Sequence, residues 1–457
     1  MNSTSKKSAS NDMLKRLAQP NTWLLALVAV VVPNLIFLLA TPYFLVYRLV
    51  SPPLYFLAAM ISLWLRPPFV YVLFGLVAII DLSLVVAVMF YLPLATAFHT
   101  IRYLASIDVA ASAFYIGAIS LFLFNALGTA WLVNRHRKAL CAASPLPAAI
   151  LAAALPVADG YVNRSYVKQP ASHFESAMAL NGLDAESITK RGRNLLIVIV
   201  EGLGSFSDPG MKALLASKFE SAAVKAGYSV LSGRSNFEGS TTSAESRELC
   251  GRWGNFTDYL RAEQYDCLPR QLAERGFATI SYHGYSSEMF DRDVWYPRIG
   301  IKESHFLDDL ARDRQLFPSR CGSVFNGLCD GEVGDAVHLR LLAKSAQPMI
   351  VYWLTLNSHI PYVAKPGGQL HCRTNEAIIK NQRVCELTEI WAEVFDKISE
   401  IAADPKLPST DILVVGDHTT PLWEKRAAVA FTPGKVDWYF LQTRQSAQTQ
   451  LTNLSRP

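Results

Sequence analysis

The segment LVVGDHTTPL, residues 413–422, sets the aliphatic residues Leu413, Val414 and Val415 directly against Gly416, Asp417 and His418. Such a run reads as a buried strand, and its end delivers a carboxylate and an imidazole to one point. Three further runs end in the same manner. NLLIVIVEGLG (194–204) leads to Glu201, FATISYHGYSS (277–287) to His283, and PMIVYWLTLNSHIPY (348–362) to Asn357, Ser358 and His359. Helix-like stretches such as CLPRQLAERG, before the His283 run, separate them. Short aliphatic strands alternating with helices predict an α/β domain with a mostly parallel central sheet. Ligands of such sheets gather beyond the carboxyl ends of the strands, and all these polar endings fall on that edge. Each has an ordinary explanation alone: a packed or surface histidine, or, for Glu201, a carboxylate favoured by the dipole of the next helix. Together they favour a site.

A site of this kind needs a reacting group. NFEGSTTSAESRELCG (236–251) is a Gly-Ser-Thr-Thr loop entering a helix-like stretch. Thr242 or Ser243 is expected to cap that helix, which leaves Thr241 over as a candidate reacting hydroxyl, with Thr242 as the runner-up. A hydroxyl becomes nucleophilic when a base or a bound cation lowers its pKa, and amides at a helix start suit a phosphate.

The α/β pattern occupies only part of the chain. Of 457 residues, 51% are hydrophobic and 18% charged, and the apolar residues crowd before about position 163. This balance predicts membrane segments plus one globular domain. The net charge of +5 contains no long basic run, which excludes nucleic acid as a partner. Met1 to Pro20 is polar, so no cleavable signal is expected. Apolar stretches cover Trp23–Tyr47, Leu54–Leu65, Phe69–Leu94, Ser112–Val133 and Leu146–Val162. They predict a five-helix transmembrane domain over residues 1–163, although the second and fifth are short for a ~20-residue span. A linker is expected at 164–192, with a helix near Phe174–Leu180, and a catalytic domain at 193–457.

With five spans, Lys6, Lys7, Lys15, Arg16, Arg66, Arg135, Arg137 and Lys138 are cytoplasmic, and the outer loops hold only Arg48 and Arg102. That bias places the C-terminal domain outside. Its six cysteines suit an oxidising compartment. Pairing of sequence neighbours is expected, Cys250–Cys267, Cys321–Cys329 and Cys372–Cys385, with buried free thiols as the alternative; Cys141 is expected to be reduced. Asp81, inside the third apolar run, is either functional, or a helix-to-helix hydrogen bond, or the polar end of an overlong span.

This combination resembles the alkaline phosphatase/sulfatase superfamily, and within it the membrane-anchored branch of lipoteichoic acid synthases, glucan phosphoglycerol transferases and lipid A phosphoethanolamine transferases. Gly239-Ser-Thr-Thr-Ser-Ala-Glu245 resembles the synthase nucleophile loop and aligns Thr241; the Cys250-Gly251 pair gives the same register. HGYSSEMFDRDVWYPRIGI (283–301) is similar to that branch's headgroup-contacting segment, with His283 and Arg292 matching and Phe290 standing where the family has Trp. LNSHIPY matches at His359, and GDHTTP resembles the Gly-Asp-His form of the phosphoglycerol branch. The resemblance implies a sulfatase-like domain and one catalytic metal ion, Mn²⁺ or Zn²⁺ with Mg²⁺ also admitted, held by Glu201, Thr241, Asp417 and His418. His283, Arg292, His359 and Phe290 would bind substrate, with His359 protonating the leaving alcohol. The implied reaction is transfer of phosphoglycerol from phosphatidylglycerol to a glycan or other envelope acceptor, through an ester on Thr241. Phosphoethanolamine transfer from phosphatidylethanolamine and simple hydrolysis are the alternatives. The implied location is the bacterial cytoplasmic membrane, with the catalytic domain in the periplasm or outside. STTSAESR has no proline of the formylglycine type, which argues against a sulfatase proper, and the extra ligands of two-metal phosphatases are not found.

Overall fold

The computed structural model describes residues 19–45, 48, 50–89, 102–103, 107–163, 174–365 and 367–444. The basic residues of the amino terminus and the first ten residues of the expected linker lie outside them. The chain forms two compact units. One comprises Met1–Ala97, Ala113–Val167 and Leu422–Lys425; the other comprises Phe98–Ser112, Lys168–Pro421 and Arg426–Pro457.

The first unit is helical: α1 (Pro20–Ala40), α2 (Ser51–Ser62), α3 (Pro67–Met89), α4 (Ala113–Arg135) and α5 (Leu146–Val162). Within α1, residues Leu27–Val31 widen into a π-helical turn just before Pro33. Proline lacks an N–H and its ring crowds the carbonyl four residues back, here Ala29, inside the widened turn. The expectation of five spans is corrected: among the described residues, three helices are long and apolar enough to cross a membrane, Pro20–Ala40, Pro67–Val88 and Ala113–Arg135. α2 has 12 residues, because Pro52 and Pro53 open it and Arg66-Pro67-Pro68 prevents its extension; at 1.5 Å per residue it reaches only about 18 Å. α5 has 17 residues, also short of a hydrocarbon core of about 30 Å. Asp81 is neither exposed nor isolated. Its carboxylate accepts from Arg48 Nε at 3.2 Å and from Ser51 Oγ, while Arg48 Nη1 donates to Asn34 Oδ1 at 2.7 Å. The Asp81 charge is therefore compensated by Arg48, in the segment between α1 and α2.

In the second unit, the linker region folds into Ala177–Leu180 and Ala185–Arg191, the latter capped by Asp184. The strands are β1 (Asn194–Val200), β2 (Gly204–Phe206), β3 (Tyr228–Asn236), β4 (Ala278–His283), β5 (Glu303–His305), β6 (Met349–Leu354), β7 (Thr410–Gly416) and β8 (Phe431–Thr443). They form one sheet in the order β2-β8-β7-β1-β6-β4-β5, with β3 also paired to β8. β7, β1, β6, β4 and β5 are mutually parallel, whereas β8 pairs antiparallel with β7, β2 and β3. The sheet is thus mixed but mostly parallel. Every residue of β1, β6 and β7 is buried, the result of covering both faces with helices, and this explains the unbroken aliphatic runs. The helices that bear on the site are α6 (Thr241–Cys250), α7 (Arg292–Arg298), α8 (Asp330–Leu342) and α9 (Gln382–Ala403). Bridges join Cys250–Cys267, Cys321–Cys329 and Cys372–Cys385, the sequence-neighbour pairing, and Cys141 is free.

Candidate metal centre

β1 and β7 lie side by side with Val200 opposite Gly416, so the next residue of each strand, Glu201 and Asp417, emerges at the same level. Gly416 is required there: a Cβ on it would lie 1.7 Å from the Leu203 carbonyl oxygen. Glu201 is held by its main chain, whose N–H donates to Thr355 Oγ1 at 2.9 Å. Its carbonyl accepts from Ser358 Oγ at 2.6 Å and from Trp391 Nε1 at 3.0 Å. Asp417 Oδ1 accepts from the amides of Gly202 at 2.7 Å and His418 at 2.6 Å. Gly202 adopts φ +68 at this bend, a conformation that suits glycine.

Glu201, Asp417 and His418 are all buried, and one ligand atom from each falls within 4.8 Å of the others. His418 Nε2 lies 3.7 Å from Glu201 Oε1 and 3.4 Å from Asp417 Oδ2. Thr241 Oγ1 donates to Glu201 Oε2 at 3.2 Å and lies 3.4 Å from His418 Nε2. The helix begins earlier than its composition suggests. Ser240, not Thr242 or Ser243, occupies the cap position with extended backbone, and Thr241 is the first helical residue. The hydroxyls of Thr242 and Ser243 instead lie 3.2 Å from Ser240 Oγ.

The donor set fits a divalent cation. Among the described residues, none hydrogen-bonds to the buried Asp417 Oδ2, and an unmet buried carboxylate oxygen is costly. Burial pushes the Glu201 carboxyl well above its ordinary range, and the neighbouring Asp417 charge adds to the effect. Two carboxylates forced together out of water are stabilised by a positive charge between them. Oxygen ligands with one imidazole suit Mn²⁺, Mg²⁺ or Zn²⁺.

The remaining sequence candidates fall into different settings. His283, the last residue of β4, is buried, and its Nδ1 lies 3.1 Å from the Leu354 carbonyl. Burial, helped by the Arg292 charge, lowers its pKa to about 3. His359 Nδ1 lies 2.8 Å from the Ile360 carbonyl, and its ring centroid is 3.9 Å from that of Phe325. Burial lowers its pKa to about 4. Arg292 is not an open anion receptor. It is buried against Glu245, with Nη2 3.1 Å from Oε2 and Nε 3.4 Å from Oε1, and Glu245 also accepts from the hydroxyls of Tyr296 and of Tyr352, the latter at 2.9 Å. Its charge nevertheless reaches Glu201, His283 and His359, acting on the titration of all three. Phe290 adopts φ 58, followed by Asp291 at φ 53. Its ring packs against Tyr103 and Phe256 at 5.6 and 5.4 Å between centroids.

Sequence reasoning missed the supports of α6. Glu245, Arg247 and Glu248 are all buried on this helix. Glu245 holds Arg292; Glu248 accepts from the amides of Ala177 and Met178 at 3.1 and 2.9 Å. Arg247 donates to the carbonyls of Gly416 and Asp417. The available signal was three ionisable residues within four positions of an otherwise small-residue helix, a pattern that exposure would equally explain.

No family model matches the chain, and no curated protein does. Solved structures do. The chain is similar to the lipoteichoic acid synthase LtaP from Listeria monocytogenes, with 14% identity over 55% of this chain and 65% of that one and a TM-score of 0.38. It is similar to the phosphoglycerol transferase GacH of Streptococcus pyogenes in complex with sn-glycerol-1-phosphate, with 14% identity over 60% and 77% and a TM-score of 0.41. It is also similar to the C-terminal periplasmic domain of EptC from Escherichia coli in complex with Zn, with 12% identity over 58% and 76% and a TM-score of 0.38. The chain spans less than two thirds of the length of LtaP.

Proposed function

We propose that the protein transfers a phospholipid headgroup, as its phosphate ester, to a hydroxyl of the cell envelope by way of Thr241. The observation that carries this reading is the Thr241 hydroxyl at the first position of α6, within 3.2 Å of Glu201 and 3.4 Å of His418 in a largely buried site. A divalent cation held by Glu201, Asp417, His418 and Thr241, either Mn²⁺ or Zn²⁺ with Mg²⁺ as a further candidate, would supply the charge that lowers the hydroxyl's pKa.

In the first half-reaction a bond forms between Thr241 Oγ1 and phosphorus as the bond from phosphorus to the diacylglycerol oxygen breaks. The threonine gives up its proton and the departing alcohol gains one. In the second, an acceptor hydroxyl, on a glycan or another envelope component, takes the phosphoryl group and Thr241 is restored. Amides at the start of α6 and the Arg292 charge offset the negative phosphate oxygens, the dominant requirement in phosphoryl transfer. His283 supplies a neutral imidazole beside them, and neutral His359 accepts the proton of the attacking hydroxyl. Phe290 walls the headgroup site.

Three candidate membrane helices would keep the enzyme among its lipid donors. An odd number of crossings, with the basic amino terminus inside, puts the catalytic unit outside. That side favours the three disulfides. The resemblance at LNSHIPY and GDHTTP favours phosphatidylglycerol as donor over phosphatidylethanolamine.

The test is the intact mass of the full-length protein after incubation with each lipid and no acceptor. A glycerophosphate adduct with phosphatidylglycerol, absent from Thr241→Ala, is expected. No adduct from either lipid, or one that persists in Thr241→Ala, overturns the proposal; a phosphoethanolamine adduct reassigns the donor.

A further inference from the structure

Arg247 has no exposure to water, so each of its donors must be met within the protein. Its Nη2 donates to the Gly416 carbonyl at 2.7 Å, its Nη1 to the Asp417 carbonyl at 3.3 Å, and its Nε to Glu248 Oε1 at 2.6 Å. The guanidinium carbon lies 4.0 Å from the centroid of the Phe237 ring. Gly416 and Asp417 are the last residue of β7 and the first carboxylate beyond it. Arg247 sits six positions after Thr241 on the same helix. One rigid element therefore carries the reacting hydroxyl and grips the main chain from which Asp417 and His418 project.

We infer that Arg247 is a positioning residue that sets how tightly the Asp417–His418 pair holds a divalent cation, an inference that rests on the metal-dependent reading above. The Asp417 carboxylate is itself oriented by amides of its own turn, Gly202 and His418, so its direction follows the main chain that Arg247 holds. A cation tolerates only about ±0.2 Å in its ligand distances. A turn released from its two carbonyl bonds loses the restraint that keeps it within that tolerance. Lysine cannot reproduce the grip, because an ammonium lacks the planar fork that meets two carbonyls and a carboxylate at once. Glu248 completes the arrangement: it fixes the other side of the guanidinium and is fixed in turn by the amides of Ala177 and Met178.

The test measures Zn²⁺ affinity of the full-length protein in detergent, stripped of metal and titrated against a chromophoric chelator, with the apo melting midpoint recorded beside it. A residue that only stabilises the fold lowers the midpoint and leaves the dissociation constant of the folded protein unchanged. Arg247→Met combined with Glu248→Gln removes both charges, so neither is left buried and alone. It is expected to bind Zn²⁺ at least about tenfold more weakly, in the range of lost second-layer contacts. Arg247→Lys, which keeps the charge but loses the fork, is expected to weaken binding by more than about threefold and by less than the double variant does. A change smaller than about threefold in the double variant overturns the inference; should that variant not fold, Arg247→Lys decides by the same limit. If the unaltered protein binds none of Zn²⁺, Mn²⁺ and Mg²⁺, the metal-dependent function itself fails. The two failures are thereby told apart.

Discussion

Glu201 and Asp417 stand side by side because Val200 and Gly416, the residues before them, are register partners in neighbouring parallel strands. Neither carboxylate chooses its neighbour; the sheet imposes it. Their proximity is unfavourable without a cation and favourable with one, so folding stability and metal affinity pull in opposite directions at this point.

Asp417→Asn separates the two. The substitution keeps an oxygen for the Gly202 and His418 amides and removes one charge from the pair. The metal-free protein is expected to melt at the same temperature or a few degrees higher, about 2–4 °C for a relief near 1 kcal/mol. The gain in melting temperature on adding Zn²⁺ or Mn²⁺, which follows RT ln(1 + [L]/Kd), is expected to vanish. Differential scanning fluorimetry with and without metal reads both. An apo protein destabilised by this change would mean the carboxylates are not in conflict.

The edge that carries the candidate site is legible in the sequence for a physical reason. β1, β6 and β7 are buried on both faces, so they appear as unbroken aliphatic runs, and the first polar residues after them mark the edge where ligands bind. β3 and β8 were not legible. They are antiparallel and partly exposed, and β8 carries Pro433 and Gly434 within its length. The grip of Arg247 on Gly416 joins residues 169 positions apart, a contact that no local pattern encodes. Arg292 was recognised as a residue but not in its setting, because its partner Glu245 looked like an ordinary helical carboxylate. Five apolar runs are legible but only three become helices of spanning length, because the second and fifth runs, short already in the sequence, form helices of 12 and 17 residues.

His283 makes the protein sensitive to acid. Its folded pKa is about 3, while an unfolded histidine titrates near 6.5. Above about pH 6.5 both states are neutral and the native environment is fully favourable. As pH falls below that value the unfolded state gains a proton that the folded state refuses. Stability is lost at up to about 1.4 kcal/mol per pH unit for this one group. Melting curves between pH 7 and pH 4 are expected to show a shallower decline in His283→Gln than in the unaltered protein. Parallel declines would place the acid sensitivity elsewhere.

The Cys250–Cys267 bridge joins the last residue of α6 to the residue before the helix that leads into β4, across a separation of 17 residues. Closing a loop of that size stabilises by about 3 kcal/mol in the chain-entropy view. Replacing both cysteines by serine is expected to lower the melting temperature by several degrees. Non-reducing peptide mapping of the unaltered protein should recover the linked pair. Because Thr241 opens the same helix, adduct formation should slow less than stability falls; an equal loss of both would make the bridge part of the catalytic geometry.

Glu245→Gln tests whether Arg292 is held for catalysis or merely buried. The substitution leaves the guanidinium without its charge partner at a site almost closed to water, where breaking a buried pair costs about 3–5 kcal/mol. Tyr296 and Tyr352 both donate to Glu245 Oε1, which in glutamine becomes a weaker, uncharged acceptor. A large drop in melting temperature is therefore expected. Glu245→Gln combined with Arg292→Met removes both charges and is expected to recover most of that stability. It should not recover adduct formation on Thr241, because the positive charge near the phosphate oxygens is gone. Recovery of both stability and adduct in the double variant would reduce Arg292 to a structural ion pair and remove it from the reaction.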